Sequence, residues 1–381
     1  MSALPIPAAP GRSALIDCAK ALACTAIVWH HLAFYGPLSE AVHQGLPGLI
    51  DWLAEYARMA VQVFLVLGGY LAAASLAPQG RARFDSPWRK VAGRFARLVV
   101  PYAVALIAAI VISAAVRPWF DDASVSGEPT LGQLLAHALL LQSILNQESL
   151  SAGVWYVAID FQLFALVPLL LAGAARASAA LRARPLALTG AQALVALGVA
   201  ASLYGFNRDE RWDVWAVYFF GAYGLGMLAC WAVNASSARG AWGWRLLIAA
   251  LTLGALALQW RTRIALAGCT ALTLALTLRN PALTRWTLWA PLRRLGLISY
   301  SVFLVHFPVC LLVNAVINRL SPGSFGMACA GMALAYGLSI AAGNLLYQRV
   351  ERHMPTWRAA LRWEASLVGM GLLAAWLAGI Y

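Results

Sequence analysis

The chain has 381 residues, of which 62% are hydrophobic and only 11% charged, with a formal net charge of +13 and a mean hydropathy of +0.72. No soluble domain of this size needs so apolar a composition for its core, so the class is that of a protein whose solvent is the bilayer. The basic excess would point to nucleic acid in a soluble protein, but here the arginines fall in blocks between apolar runs and read as topology determinants, so no nucleic-acid partner is expected.

Residues 1–13 are short, Pro/Ala-rich and without an apolar core, and are expected to be a disordered cytoplasmic tail. Apolar segments then follow at approximately 14–35, 57–77, 95–116, 153–173, 187–205, 214–233, 245–260, 263–278, 296–316, 326–347 and 363–380. Each is near the roughly 20 residues a helix needs to span hydrocarbon, and helices satisfy the backbone there. The expected fold is an all-α polytopic membrane helical bundle of about ten or eleven transmembrane helices. The bundle should cover 14–347, with 348–381 forming a cytoplasmic loop and an extra C-terminal transmembrane helix. A weaker run, 131–145, is shorter than a span and is expected at the surface or re-entering.

With the amino terminus placed in the cytoplasm, the predicted internal connections carry Arg81, Arg83, Arg89, Lys90 and Arg94, then Arg176, Arg182 and Arg184, then Arg279, Arg285, Arg293 and Arg294, then Arg349, Arg352, Arg358 and Arg362. The predicted external ones are acidic or mixed, with Glu40, Asp51 and Glu55, then Asp121, Asp122 and Glu128, then Asp209 and Glu210 beside Arg208 and Arg211. This is the positive-inside pattern. Its weakest point is the external turn Trp260-Arg-Thr-Arg, which is basic. The six cysteines all lie in apolar stretches without metal-ligand spacing, so neither a disulfide framework nor a metal site is expected.

An ionisable residue inside a span is costly and normally faces the bundle interior, so function is sought among Asp17, Lys20, His30 and His31 of the first helix, Arg94 and Arg97 of the third, Asp160 of the fourth and His306 of the ninth. Lys20 and His31, eleven residues apart, project from one stripe about 16 Å apart along the axis, so one face could hold both ends of a long ligand. The alternative is a snorkelling lysine and a hydrogen-bonded core histidine. Arg94 and Arg97, at i and i+3, offer a forked donor surface for phosphates, or positive-inside anchoring. Asp160 and His31 share an expected depth below the external face. A carboxylate there could fix the tautomer of the imidazole as in acyl-transfer general bases, or it could belong to a structural ion pair. His306 precedes Pro308, which could free a carbonyl for the ring, so a packing role and a ligand role both stand.

Taken in order, these segments resemble the membrane acyltransferase-3 family, whose bacterial members transfer acyl groups, usually acetyl, onto sugars and other hydroxyl acceptors. Asp17-Cys-Ala-Lys20 through His31 is similar to its opening helix, Val61-Gln-Val-Phe-Leu-Val-Leu-Gly-Gly-Tyr to its second, Arg94-Phe-Ala-Arg97 with Pro101-Tyr102 to its Arg-x-x-Arg motif, and Trp155 through Phe164 to its Trp/acid motif. Leu295-Gly-Leu-Ile-Ser-Tyr-Ser through His306-Phe-Pro is similar to the late helix, and Arg349-Val-Glu-Arg to the closing motif. The departures are lysine for arginine at Lys20, Gly68 where serine is common, and aspartate for glutamate at Asp160.

The resemblance implies a multi-pass protein of the bacterial inner membrane that moves an acyl group, expected to be acetyl, from cytoplasmic acyl-CoA to a hydroxyl of a periplasmic or lipid-linked glycan. Lys20, Arg94 and Arg97 would lie near the phosphates of the donor, His31 would be general base or acyl carrier, and Asp160 would orient it. Trp155, Gln162, Ser299, Tyr300 and His306 are further site candidates. Expected partners are the lipid bilayer, the acceptor and glycan-assembly proteins. Two other classes remain open: a secondary transporter or channel, and a catalytically silent acyltransferase-like assembly protein.

Overall fold

A computed structural model describes residues 13–180, 189–280 and 287–379; the tail 1–12 and Arg182, Arg184 and Arg285 lie outside the described residues. The protein is an all-α polytopic membrane helical bundle, and among the described residues there is no strand. In chain order the helices are α1 (Ala14–Phe34), α2 (Pro37–His43), α3 (Pro47–Glu55), α4 (Val61–Leu76), α5 (Pro87–Val116), α6 (Leu131–Ala138), α7 (Trp155–Ala180), α8 (Gly190–Tyr204), α9 (Ala216–Val233), α10 (Ala238–Leu258), α11 (Thr262–Thr277), α12 (Ala290–Leu320), α13 (Phe325–Leu346) and α14 (Trp357–Ala378).

Each of the eleven apolar segments read from the sequence contains a helix among the described residues. Among the described residues seven stretches are long and apolar enough to cross a membrane, Pro47–Leu76, Pro87–Val116, Trp155–Ala177, Ala216–Val233, Ala238–Leu258, Ala290–Leu320 and Phe325–Glu351, fewer than the ten or eleven expected. The remainder fall short for physical reasons: α8 and α11 are shorter, while α1 and α14 carry charged residues.

Several boundaries move because caps, not hydropathy, set them. The second span begins at Pro47, since α3 continues through a 3-10 turn at Ala57–Ala60 into α4. The third begins at Pro87, where the Ser86 hydroxyl accepts the Arg89 N–H at 3.4 Å and proline occupies the first turn. Arg89, Lys90 and Arg94 therefore sit on a helix and not in a loop. In the run 131–145 only α6 is helical; a reciprocal Thr130–Gln133 capping box starts it, and positive φ at Leu140 and Asn146 turns the chain after it.

Two groups of helices build the bundle. Almost wholly buried, α9 packs on α4, α8, α10 and α11, while α12 packs on α1, α5 and α13. Large apolar side chains such as Leu22, Leu197, Leu246, Leu253 and Trp376 remain on the outside, where lipid is their solvent. Between helices, lipid-like apolarity gives no driving force, so close backbone approach through small residues supplies the packing. A Cβ on Gly69 would stand 1.7 Å from the Tyr223 carbonyl oxygen, and one on Gly226 1.9 Å from that of Val66, so α4 and α9 touch backbone to backbone. Where α1 meets α12, Gly296 faces the Asp17 carbonyl in the same way, at 2.1 Å. The Trp231 indole then donates to the Ala77 carbonyl at 2.8 Å and closes the end of α4.

Gly226→Ala should force α4 and α9 apart and cost about 1–3 kcal/mol or more of stability. Gly243→Ala on α10, where a Cβ meets nothing within 4 Å, should be neutral. Thermal unfolding of the detergent-solubilised protein checks the pair, and equal midpoints would show that the close approach is not required.

Candidate active site

Residues of α1, α4, α5, α7 and α12 converge on a cavity of about 380 Å³ lined by Lys20, Gly68, Arg94, Arg97, Asp160, Ser299, Tyr300 and Glu351, among others. On its wall, Arg94 donates to Asp160 at 2.5 Å, with the guanidinium 5.3 Å from the centre of the Phe164 ring. Asp160 is buried, and a carboxylate there requires a cationic partner. Arg97 points elsewhere: its Nη1 reaches the Met354 sulfur at 3.7 Å, and both Arg97 and Lys20 act electrostatically on Glu351. The expected fork of two arginines is thus divided. Arg94 is held by an internal anion, and the basic rim consists of Lys20 and Arg97 with Glu351, which lies in the helical turn Tyr347–Glu351 after α13 and whose carboxylate accepts the Ser301 hydroxyl of α12 at 2.5 Å.

The expectation that Asp160 orients His31 is corrected by this geometry. Asp160 is one helical turn past Tyr156 on α7 and faces the basic cavity, whereas His31 faces a second cavity of about 340 Å³, with His30, Tyr35, Arg58, Gly153 and Trp155. The two residues line different cavities; the aromatic rings of Tyr156 and Phe303, 5.4 Å apart, line both and stand between them.

The partner of His31 is His306. The Nδ1 of His31 is hydrogen-bonded to the Nε2 of His306, whose Nδ1 lies 2.6 Å from the Phe303 carbonyl oxygen. A carbonyl can only accept, so in the neutral ring His306 carries its proton on Nδ1 and its Nε2 accepts. His31 must then donate from Nδ1, which leaves the lone pair of its own Nε2 available as a base. The Phe303 carbonyl is one turn back from His306 on the same helix, whereas the N–H missing at Pro308 would leave the Leu304 carbonyl without its ladder donor. Both rings are buried, and Gly153, at φ +82, lets the chain pass so close that a Cβ would sit 3.2 Å from the His31 Cε1. His30 has a different task, its Nδ1 lying 3.3 Å from the Leu53 carbonyl.

Of the further candidates, Trp155 lines the histidine cavity, while Ser299 and Tyr300 line the basic one, their hydroxyls donating to the Gly296 and Leu98 carbonyls at 3.2 and 3.1 Å. The Nε2 of Gln162 is buried with no hydrogen-bond partner among the described residues. Sequence reasoning passed over Tyr156, Phe303, Glu351 and Gly153. Glu351 lay inside a motif already quoted, but the aromatic residues carry no signal that separates them from packing. At Gly68, a Cβ would be 3.3 Å from the Asp160 Oδ1 and 3.1 Å from the Tyr223 ring, so a serine there would bring a hydroxyl to Asp160 once that ring gave by a few tenths of an ångström.

The site is therefore a hydrogen-bonded imidazole pair and a basic cavity on the two sides of an aromatic wall within a helical membrane bundle. A family model described as an acyltransferase domain matches residues 14–379, and the chain belongs to the acyltransferase-3 family. Comparison with curated proteins and with solved structures found no match to either.

Breaking a fully buried ion pair costs about 3–5 kcal/mol. With the Arg94 side chain 32% exposed, Asp160→Ala should lower the unfolding midpoint by a smaller but measurable amount, and Arg94→Met with Asp160→Leu should recover most of the loss. If Asp160→Ala kept full stability, the pair would not be the reason for that carboxylate.

Proposed function

We propose that the protein is an O-acyltransferase of the bacterial inner membrane, with its amino terminus in the cytoplasm, that moves an acyl group, most simply acetyl, from cytoplasmic acyl-CoA to a hydroxyl of a periplasmic or lipid-linked glycan. The observation that carries the reading is the hydrogen-bonded series from the Phe303 carbonyl through His306 to His31, because it leaves a basic nitrogen facing a cavity that abuts a second, cation-rimmed one. In this reading Lys20 and Arg97 meet the donor phosphates at the cytoplasmic mouth, and the thioester passes toward Tyr156 and Phe303. Arg94, held by Asp160, adds fixed positive potential to the same wall.

The acceptor hydroxyl loses its proton to His31 Nε2 as its oxygen attacks the thioester carbonyl. Collapse of the tetrahedral intermediate breaks the C–S bond, and the thiolate leaves with the proton returned by His31, so ester and free thiol are the products. His306 stabilises the imidazolium by accepting from its Nδ1, the task a carboxylate performs in hydrolase triads. In an acyl-histidine route the same nitrogen attacks the thioester and the thiolate leaves as an acyl-imidazole forms; the acceptor hydroxyl then attacks that acyl group, loses its proton and releases the imidazole, giving the same ester and thiol. Glycan-assembly proteins would supply the acceptor.

The test is transfer of labelled acetyl from acetyl-CoA to glycan acceptors by the protein in nanodiscs. A general base contributes about 10²- to 10⁴-fold. His31→Ala should therefore remove nearly all turnover, and His306→Ala should lower kcat by about 10²-fold or more while His30→Ala remains mild. Arg97→Ala should raise the KM for acetyl-CoA, and Lys20→Arg, which gains a bidentate fork, should be tolerated. Acceptor flux without acylation would replace this reading with transport, and a His30-dependent, His31-independent enzyme would mean the wrong base.

A further inference from the structure

The basic external turn at Trp260–Arg263 does not fit a purely topological role for arginine, and the structure gives each arginine a different task. Arg261 donates to the Asn207 side-chain oxygen at 3.3 Å. Arg263 donates to the Tyr218 hydroxyl, its guanidinium 5.5 Å from the centre of that ring, and lines a third cavity of about 380 Å³. That volume lies within the range of about 300–1,000 Å³ typical of small-molecule sites.

The third cavity adjoins the histidine cavity, because Arg58, Val61 and Trp155 line both. Its floor is aromatic, with Trp155 and Phe219 ring centres 5.5 Å apart. Gln62, buried, and Ser143 add polar groups. Two guanidinium groups, Arg58 and Arg263, face one carboxylate, Asp213, so the recess carries a net positive charge. Arg263 is already fixed by Tyr218, and the one hydrogen bond given by Arg58 among the described residues is from Nε to the Glu55 carbonyl at 3.2 Å, which leaves the terminal nitrogens of that fork for a ligand. A planar fork presenting paired N–H groups matches a carboxylate or phosphate, whereas hydroxyls alone need no such charge.

We infer that this recess is the acceptor subsite and that it takes a sugar carrying an anionic group, a carboxylate or a phosphate, held by Arg58 and Arg263 over the Trp155–Phe219 floor so that a neighbouring hydroxyl reaches His31. The inference rests on the acyltransferase reading for the role of the sugar, but not for its binding.

Binding is therefore measured first, by calorimetric titration of the full chain in phosphatidylcholine nanodiscs with methyl β-glucuronide, methyl glucoside 6-phosphate and neutral methyl β-glucoside. The anionic sugars should bind at least tenfold tighter than the neutral one. Arg58→Gln and Arg263→Gln should each bring that ratio towards one, while Arg58→Lys and Arg263→Lys, with unchanged unfolding midpoints, should retain part of it, the charge without the fork. Adding acetyl-CoA should then give a lower acceptor KM for the anionic sugars, a preference lost in the glutamine variants. Equal affinity for all three sugars overturns the inference, as does a ratio indifferent to both arginines. Loss of glucuronide binding in phosphatidylglycerol nanodiscs also overturns it, since the recess would then be a lipid-headgroup site. Selective binding without any acetyl transfer would count against the acyltransferase reading and leave the anion subsite standing.

Discussion

A charged or strongly polar side chain within a membrane bundle must find its partner inside the protein, because hydrocarbon offers none. That constraint sorts the functional residues of this chain. The Asp160 carboxylate is neutralised by Arg94, so it has no need of an imidazole, and His31 in turn satisfies its Nδ1 against His306. Each pair closes on itself. The result is two chemically distinct compartments, one cationic and one imidazole-lined, where a single carboxylate–histidine couple would have merged them.

The wall between those compartments is aromatic and thin. Tyr156 and Phe303 line both sides, Phe64 packs 6.1 Å from Tyr156, and the backbone of Phe303 holds the His306 ring. One residue thus shapes the wall with its side chain and fixes the tautomer of the neighbouring histidine pair with its carbonyl. Pre-organisation of this kind requires rigid support, which comes from α12 packed on α1, α5 and α13 and from a glycine contact where α1 meets α12.

The departures from the family pattern are accommodated locally. Glycine at Gly68 lets α4 pass close to Tyr223 and Asp160, where a Cβ would stand 3.1 and 3.3 Å from them, and Asp160 engages Arg94 from beside it. Lysine at Lys20 keeps a charge within electrostatic range of Glu351 but brings a point charge in place of a fork. Lys20 shares α1 with His31 but stands eleven residues away on it, and Gly68 is on α4, so neither change touches the contact between His31 and His306.

By itself the sequence determined the solvent, the helical class and the position of every apolar segment, since bilayer thickness and backbone hydrogen bonding leave few other solutions. It also brought Lys20, Arg94, Arg97, His31 and Asp160 to notice, because ionisable residues in apolar runs are rare enough to stand out, and the ordered motifs pointed to the family that the chain proves to belong to. The pairing among those residues was decided by tertiary structure. Helical spacing places side chains on one helix relative to each other, but the relative depth of His31 on α1, Asp160 on α7 and His306 on α12 depends on how the helices slide and cross. A shift of one turn, about 5.4 Å, is enough to exchange a carboxylate partner for an imidazole. Aromatic residues such as Tyr156 and Phe303 were equally illegible, since nothing in an apolar run separates a ring that packs the core from one that lines a cavity.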